Sequence, residues 1–204
     1  MTPFAAVAGG GLAGFFGAAL AHVLTTMAAR LGSEAWLRGP YGPPFFNVAL
    51  YTGVFYGAIG AAAGRRAKTA GIGFLGAFSA FLLPMFVLTR YGGWGMPRGA
   101  DITPAWKLAV IAVFVLAIWS TVAGIGAAAG RVSPWRGAAA AVLGSLAGYA
   151  ALAVLQRLFA AWTQSPWNPA SFLPSPVNLL DGLLSGAGLC LGLSLDERLS
   201  RRDS

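Results

Sequence analysis

Six stretches of this chain are long and apolar enough to cross a lipid bilayer: Phe4–Met27, Phe45–Ala63, Ala70–Thr89, Trp106–Ala129, Gly137–Phe159 and Val177–Leu195. A helix needs about 20 mostly apolar residues to span the hydrocarbon core. No water in that core can satisfy a free N–H or C=O, so segments of this kind fold as helices. Composition agrees: 57% of the residues are hydrophobic and 10% charged, against roughly 25% charged in soluble domains. The predicted fold class is an all-α integral membrane protein with six transmembrane helices.

The spans come in related pairs. Gly57–Arg65 reads GAIGAAAGR and Gly124–Arg131 reads GIGAAAGR, each closing an apolar segment and opening onto a basic turn. A weaker copy, GAGLCLG at Gly186–Gly192, also runs into a basic tail. Ala8–Ala18 (AGGGLAGFFGA) lines up with Ala70–Ala80 (AGIGFLGAFSA). Self-similarity at a fixed period marks a repeat architecture. The chain divides into three tandem helical hairpins, residues 1–69, 70–136 and 137–204, which together make one membrane domain. Each hairpin enters and leaves on one side, so the copies relate by an axis along the membrane normal.

The connections alternate in kind. Arg65–Thr69, Arg131–Arg136 and the tail Asp196–Ser204 are short and basic, whereas Arg30–Pro44, Arg90–Pro104 and Ala161–Pro176 are longer and rich in Pro, Gly and Trp. Basic segments stay on the cytoplasmic side, which puts both termini there, and tryptophans such as Trp36, Trp94, Trp162 and Trp167 prefer the opposite headgroup layer. The first span lacks the basic start of a signal peptide, so it is read as a mature helix. The net charge of +8 fits anchoring beside anionic headgroups. No soluble basic domain exists to bind nucleic acid. Arginine- and alanine-rich usage places the expected location in a bacterial cytoplasmic (inner) membrane.

Glycine, 29 residues of 204, recurs at four-residue spacing: Gly10/Gly14, Gly60/Gly64, Gly126/Gly130, Gly144/Gly148, Gly182/Gly186 and Gly188/Gly192. Such pairs lie on one helix face and let two backbones approach closely enough for dispersion contacts that lipid tails cannot match. They are read as helix-packing positions, with the partner helix in this chain or in another protomer. Cys190, the single cysteine, is a small packing residue and precludes an intramolecular disulfide.

Ionisable side chains are costly in lipid, so each one in a span is a functional candidate. Four qualify: His22 in the first span, Asp181 in the sixth, Arg157 at the end of the fifth and Lys107 at the start of the fourth. They are candidates for a solute or ion pathway near the long-loop side, with Asp181 paired to Arg157 or Lys107. Asn47 and Asn178 are placed as helix caps. A lone histidine without clustered carboxylates or thiols makes no metal site. No His-Glu-x-x-His or phosphate-binding glycine loop occurs, and no serine–histidine–carboxylate set converges. The expectation is a chain that is not an enzyme and needs no cofactor or metal: a small-solute or ion permease or channel. The alternative is a non-catalytic membrane subunit or assembly factor. Its partners are the lipid bilayer and a possible homo-oligomer or membrane complex.

Overall fold

The computed structural model describes residues 2–31, 43–64, 66–91, 104–158 and 174–202. The side chains of residues 29, 31, 43–45, 83–91 and 104–111 lie outside that description. Among the described residues the chain is all-helical. Its helices are α1 (Pro3–Leu31), α2 (Pro43–Gly64), α3 (Ala67–Tyr91), α4 (Pro104–Ala129), α5 (Pro134–Leu158) and α6 (Pro176–Arg202). Five of them are long and apolar enough to cross a membrane; α3 is apolar over Ala67–Leu82.

The helix starts follow from local chemistry. Five of the six helices begin with proline, whose fixed φ suits the first helical position and whose missing N–H is not needed there. Hydroxyls just before them accept the next free amides: Ala5 N–H donates to Thr2 Oγ1 (3.3 Å), Arg136 N–H to Ser133 Oγ (3.4 Å) and Asn178 N–H to Ser175 Oγ (3.3 Å). Ser175 therefore caps α6, and Asn178 is already in its first turn. Asn47 lies a full turn inside α2. Neither asparagine is a cap, because the proline and the preceding hydroxyl start each helix earlier. Nor is the tail at 196–204 a separate segment: α6 continues through it to Arg202.

Each helix packs antiparallel along its neighbours in sequence, and α1 also packs along α6, so the six close into a ring. Inside the ring α2, α4 and α6 make further contacts with one another. One end of the bundle, the turn end, gathers the starts of α1, α3 and α5 and the ends of α2, α4 and α6.

Glycine sets how closely the helices approach. A Cβ on Gly14 would collide with the carbonyl of Gly182, and one on Gly10 with Gly186 and Cys190. Gly144 meets Gly188 the same way, and Gly126 and Gly130 both meet Gly137. The atom that a glycine faces is not always another glycine's. Gly148, buried on α5, faces the carbonyl of Leu184 on α6; Gly192 faces that of Ala140, and Gly64 the side chain of Thr69. Any residue presents a carbonyl to a close neighbour, so the missing side chain is needed on one helix only. Every one of these is a contact within the chain.

Large apolar side chains point outward instead: Leu12, Phe16, Leu20, Leu143 and Val154 are exposed, while Ala18, Ala21, Ala77 and Ala141 are buried. Water would reverse this distribution; lipid is a good solvent for leucine and leaves packing to small residues. Hydroxyls in the helices bond to their own backbone, as Thr52 Oγ1 does to the Val48 carbonyl (2.9 Å) and Ser120 Oγ to that of Leu116 (2.7 Å).

Candidate functional site: a vestibule, an apolar layer and a polar cluster

A cavity of about 1110 Å³ opens at the turn end. Its walls are the start of α1 (Thr2 to Gly10), the ends of α2 and α4 (Ala62 to Gly64, Ala128 to Gly130) and the last turns of α6. α2 and α4 end in small residues, so four helix ends converge without filling the space between them. Arg66, Arg131, Arg198 and Arg201 line it together with Asp196 and Glu197.

One helical turn deeper the space is filled. Ile59 of α2, Val122 and Ile125 of α4 and Leu189 of α6 are all less than 2% exposed and share one core. They form an apolar layer where the three inner helices meet.

Below this layer lies a polar cluster. Ser185 Oγ donates to Asp181 Oδ1 at 2.9 Å, one turn apart on α6. The hydroxyls of Tyr56 on α2 and Tyr149 on α5 share a hydrogen bond of 2.9 Å, and Tyr149 is also within hydrogen-bonding reach of Ser185. Asp181 is within electrostatic range of Tyr51, Tyr56 and Tyr149. Trp119 of α4 packs edge-on against Tyr149, with centroids 5.8 Å apart. Gly148, next to Tyr149 in sequence, holds α5 against the Leu184–Ser185 stretch of α6, and that close approach brings the tyrosine to the serine. A carboxyl, a serine hydroxyl and a hydrogen-bonded pair of phenols from α2, α5 and α6 thus gather inside the bundle, a polar set that lipid makes costly.

Three of the four ionisable candidates have described side chains. Asp181 is at the centre of the cluster. His22 is buried at 2% exposure in α1 and has a partner. Arg157 is exposed at the end of α5, and no ion pair joins it to Asp181 among the described residues; the carboxylate takes its hydrogen bond from its own helix instead. Lys107 belongs to α4, but its side chain lies outside the described residues, as do most of the tryptophan-rich connections. The large cavity opens at the turn end, and His22, Asp181 and Arg157 do not line it. The tyrosines escaped notice in the sequence because a buried tyrosine is ordinary; only their convergence on Asp181 singles them out.

At the rim, ion pairs hold α6 to the α4–α5 turn. Arg131 reaches Glu197 Oε1 at 2.8 Å, Arg201 reaches the same oxygen at 2.6 Å, and Arg136 Nε reaches Asp196 Oδ1 at 2.9 Å. The hydrogen bond from Arg201, with Arg131 beside it, holds the Glu197 carboxyl below the ordinary glutamate value of 4.5. A lowered folded-state value means that this contact stabilises the protein at neutral pH. The contribution is lost as pH falls below 4.5 and through the lowered value. The groups are solvent-facing, so the effect is small and salt-sensitive. Spin labels at Val132 and Leu199 are expected to give a narrow distance distribution at pH 7 that broadens below pH 4.5. Glu197→Gln is expected to show a smaller change with pH, while the Arg136–Asp196 pair still joins α6 to the start of α5.

Comparison with known protein families, with curated proteins and with solved structures finds no match for this chain. Among the described residues, no three His, Cys, Asp or Glu side chains come together as a metal site. The fold and site define an all-helical chain of the multi-pass membrane type, with a charged vestibule and a polar cluster separated by an apolar layer.

Proposed function

We propose that this chain is a six-span membrane permease for a small solute. Its path follows the axis shared by α2, α4 and α6. The observation that carries the reading is the 1110 Å³ cavity at the turn end, with Ile59, Ile125 and Leu189 buried together about one turn deeper than the residues that line it. A vestibule ending on a thin apolar barrier, with an ionisable cluster on its far side, is what alternating access or gating requires. The three-hairpin reading supports the same axis. Gly60 of α2 meets Thr69 just inside α3, Gly126 of α4 meets Gly137 of α5, and Gly186 of α6 meets Gly10 of α1. Each is a close approach between the second helix of one hairpin and the first helix of the next. The turn end is the cytoplasmic end in this proposal, of a bacterial inner membrane, and no catalysis is assigned.

The test is solute flux in reconstituted vesicles, comparing the natural chain with Asp181→Asn. The expected result is saturable flux above protein-free vesicles, lowered about tenfold by the substitution, equivalent to roughly 1.4 kcal/mol on the barrier. Tyr149→Phe, which removes one hydroxyl from the cluster, is expected to give a smaller drop. Flux at the protein-free level, with a stoichiometric second chain retained through gentle extraction, would overturn this reading in favour of the membrane subunit.

A further inference from the structure

We propose that the vestibule binds a phosphate-type oxyanion, held by Arg66 and Arg198 and flanked by Arg131 and Arg201. The inference rests on reading the cavity as a solute entrance, and it names the class of ligand that entrance takes. Four guanidinium groups and two carboxylates line the cavity, an excess of two positive charges. The carboxylates are already engaged. Glu197 Oε1 accepts from both Arg131 and Arg201, and Asp196 from Arg136. A cation would have to displace those bonds. Arg66 and Arg198, in contrast, make no ion pair among the described residues. They come from different places, the α2–α3 turn and the last turns of α6, yet face one space.

Two further features point to an anion. The start of α1 forms part of the wall through Thr2 and Pro3, and a helix start carries partial positive charge. Every cation lining the cavity is arginine. Its planar fork matches two oxygens of a phosphate, where a lysine offers only a point charge. The walls between the arginines are glycine and alanine, which leave room for the ligand's remainder.

A free phosphate-bearing solute and an anionic lipid headgroup present the same oxyanion, and the experiment separates them. The full chain is placed in nanodiscs of phosphatidylcholine and titrated with inorganic phosphate against chloride at equal ionic strength. Saturable heat with phosphate and none with chloride is expected. Arg66→Gln with Arg198→Gln should weaken binding at least about tenfold. Arg66→Lys with Arg198→Lys keeps the positive charge that orients the chain and should still weaken it severalfold. In parallel, phosphatidylglycerol retention is read by native mass spectrometry. Retention by the natural chain, lost in the glutamine variant and without a phosphate heat, would assign the site to a lipid headgroup. Equal responses to phosphate and chloride, or identical binding in all variants, would overturn the proposal. Binding is read without flux, so an anion site on a chain that transports nothing would sink the permease alone. Flux of another solute with no anion binding would sink this inference alone.

Discussion

Gly14→Leu and Gly144→Leu are each expected to prevent the ring from closing, whereas Gly71→Ala is expected to leave the protein as stable as before or slightly more so. The contrast comes from what a side chain would meet. At Gly14 a Cβ would collide with the Gly182 backbone, and at Gly144 with that of Gly188. A backbone carbonyl cannot rotate away as a flexible side chain can, so the helices must separate along their whole contact. Overpacking a well-filled core costs about 1–3 kcal/mol, sometimes more, and here it also strips close dispersion contacts from the neighbouring turns. Gly71 has nothing within 4 Å of its Cβ position, and alanine is favoured over glycine in a helix by roughly 1 kcal/mol. Detergent-solubilised protein analysed by size-exclusion chromatography and thermal unfolding checks all three. If the leucine variants stay monodisperse with an unchanged midpoint, glycine contacts do not hold this bundle together.

Opening the apolar layer is expected to have the largest effect on permeation. Ile59→Ser combined with Ile125→Ser should raise passive flux through reconstituted vesicles by about tenfold or more. A narrow apolar constriction excludes water and ions by dewetting, and polar groups there let it wet. Each serine can bond to a carbonyl one turn back on its own helix, as Thr121 Oγ1 does with the Ala117 carbonyl at 3.0 Å, so the exchange need not leave a bare hydroxyl. Ile59→Leu with Ile125→Leu keeps volume and apolarity and should remain closed. A leak no larger than that of the leucine pair would mean that the path does not run between the inner helices.

Some of this was legible before any coordinates. The apolar runs mark where the helices lie, and the ends shift by a few residues for a local reason: Thr2-Pro3, Ser133-Pro134 and Ser175-Pro176 are start signals readable in the sequence. The glycine spacing marks faces, but not which helix each face meets, nor whether a glycine stands opposite. Gly144 finds Gly188, yet Gly148 one turn along finds the backbone of Leu184. On α6, Gly182 and Gly186 turn to α1 while Gly188 and Gly192 turn to α5. Six residues at 3.6 per turn separate the two sets by about 120°, so one helix serves two partners. Asp181 was visible as an intramembrane acid. Its tyrosine neighbours were not, because Tyr56 and Tyr149 are 93 residues apart and no local periodicity links them. The expected pair with Arg157 fails because a serine one turn away on the same helix satisfies the carboxylate at less conformational cost.

The sequence by itself determined the helices, their starts and the small-residue faces through which they pack. These depend on spacing along one chain and on the refusal of lipid to solvate a bare peptide group. Only the tertiary structure decided that α1 closes the ring on α6. It also decided that the arginines of a turn and of the last helix share one cavity, and that an aspartate, a serine and a hydrogen-bonded tyrosine pair gather beneath an apolar layer. Those arrangements depend on distances between residues far apart in the chain, set by how closely glycine lets one backbone approach another.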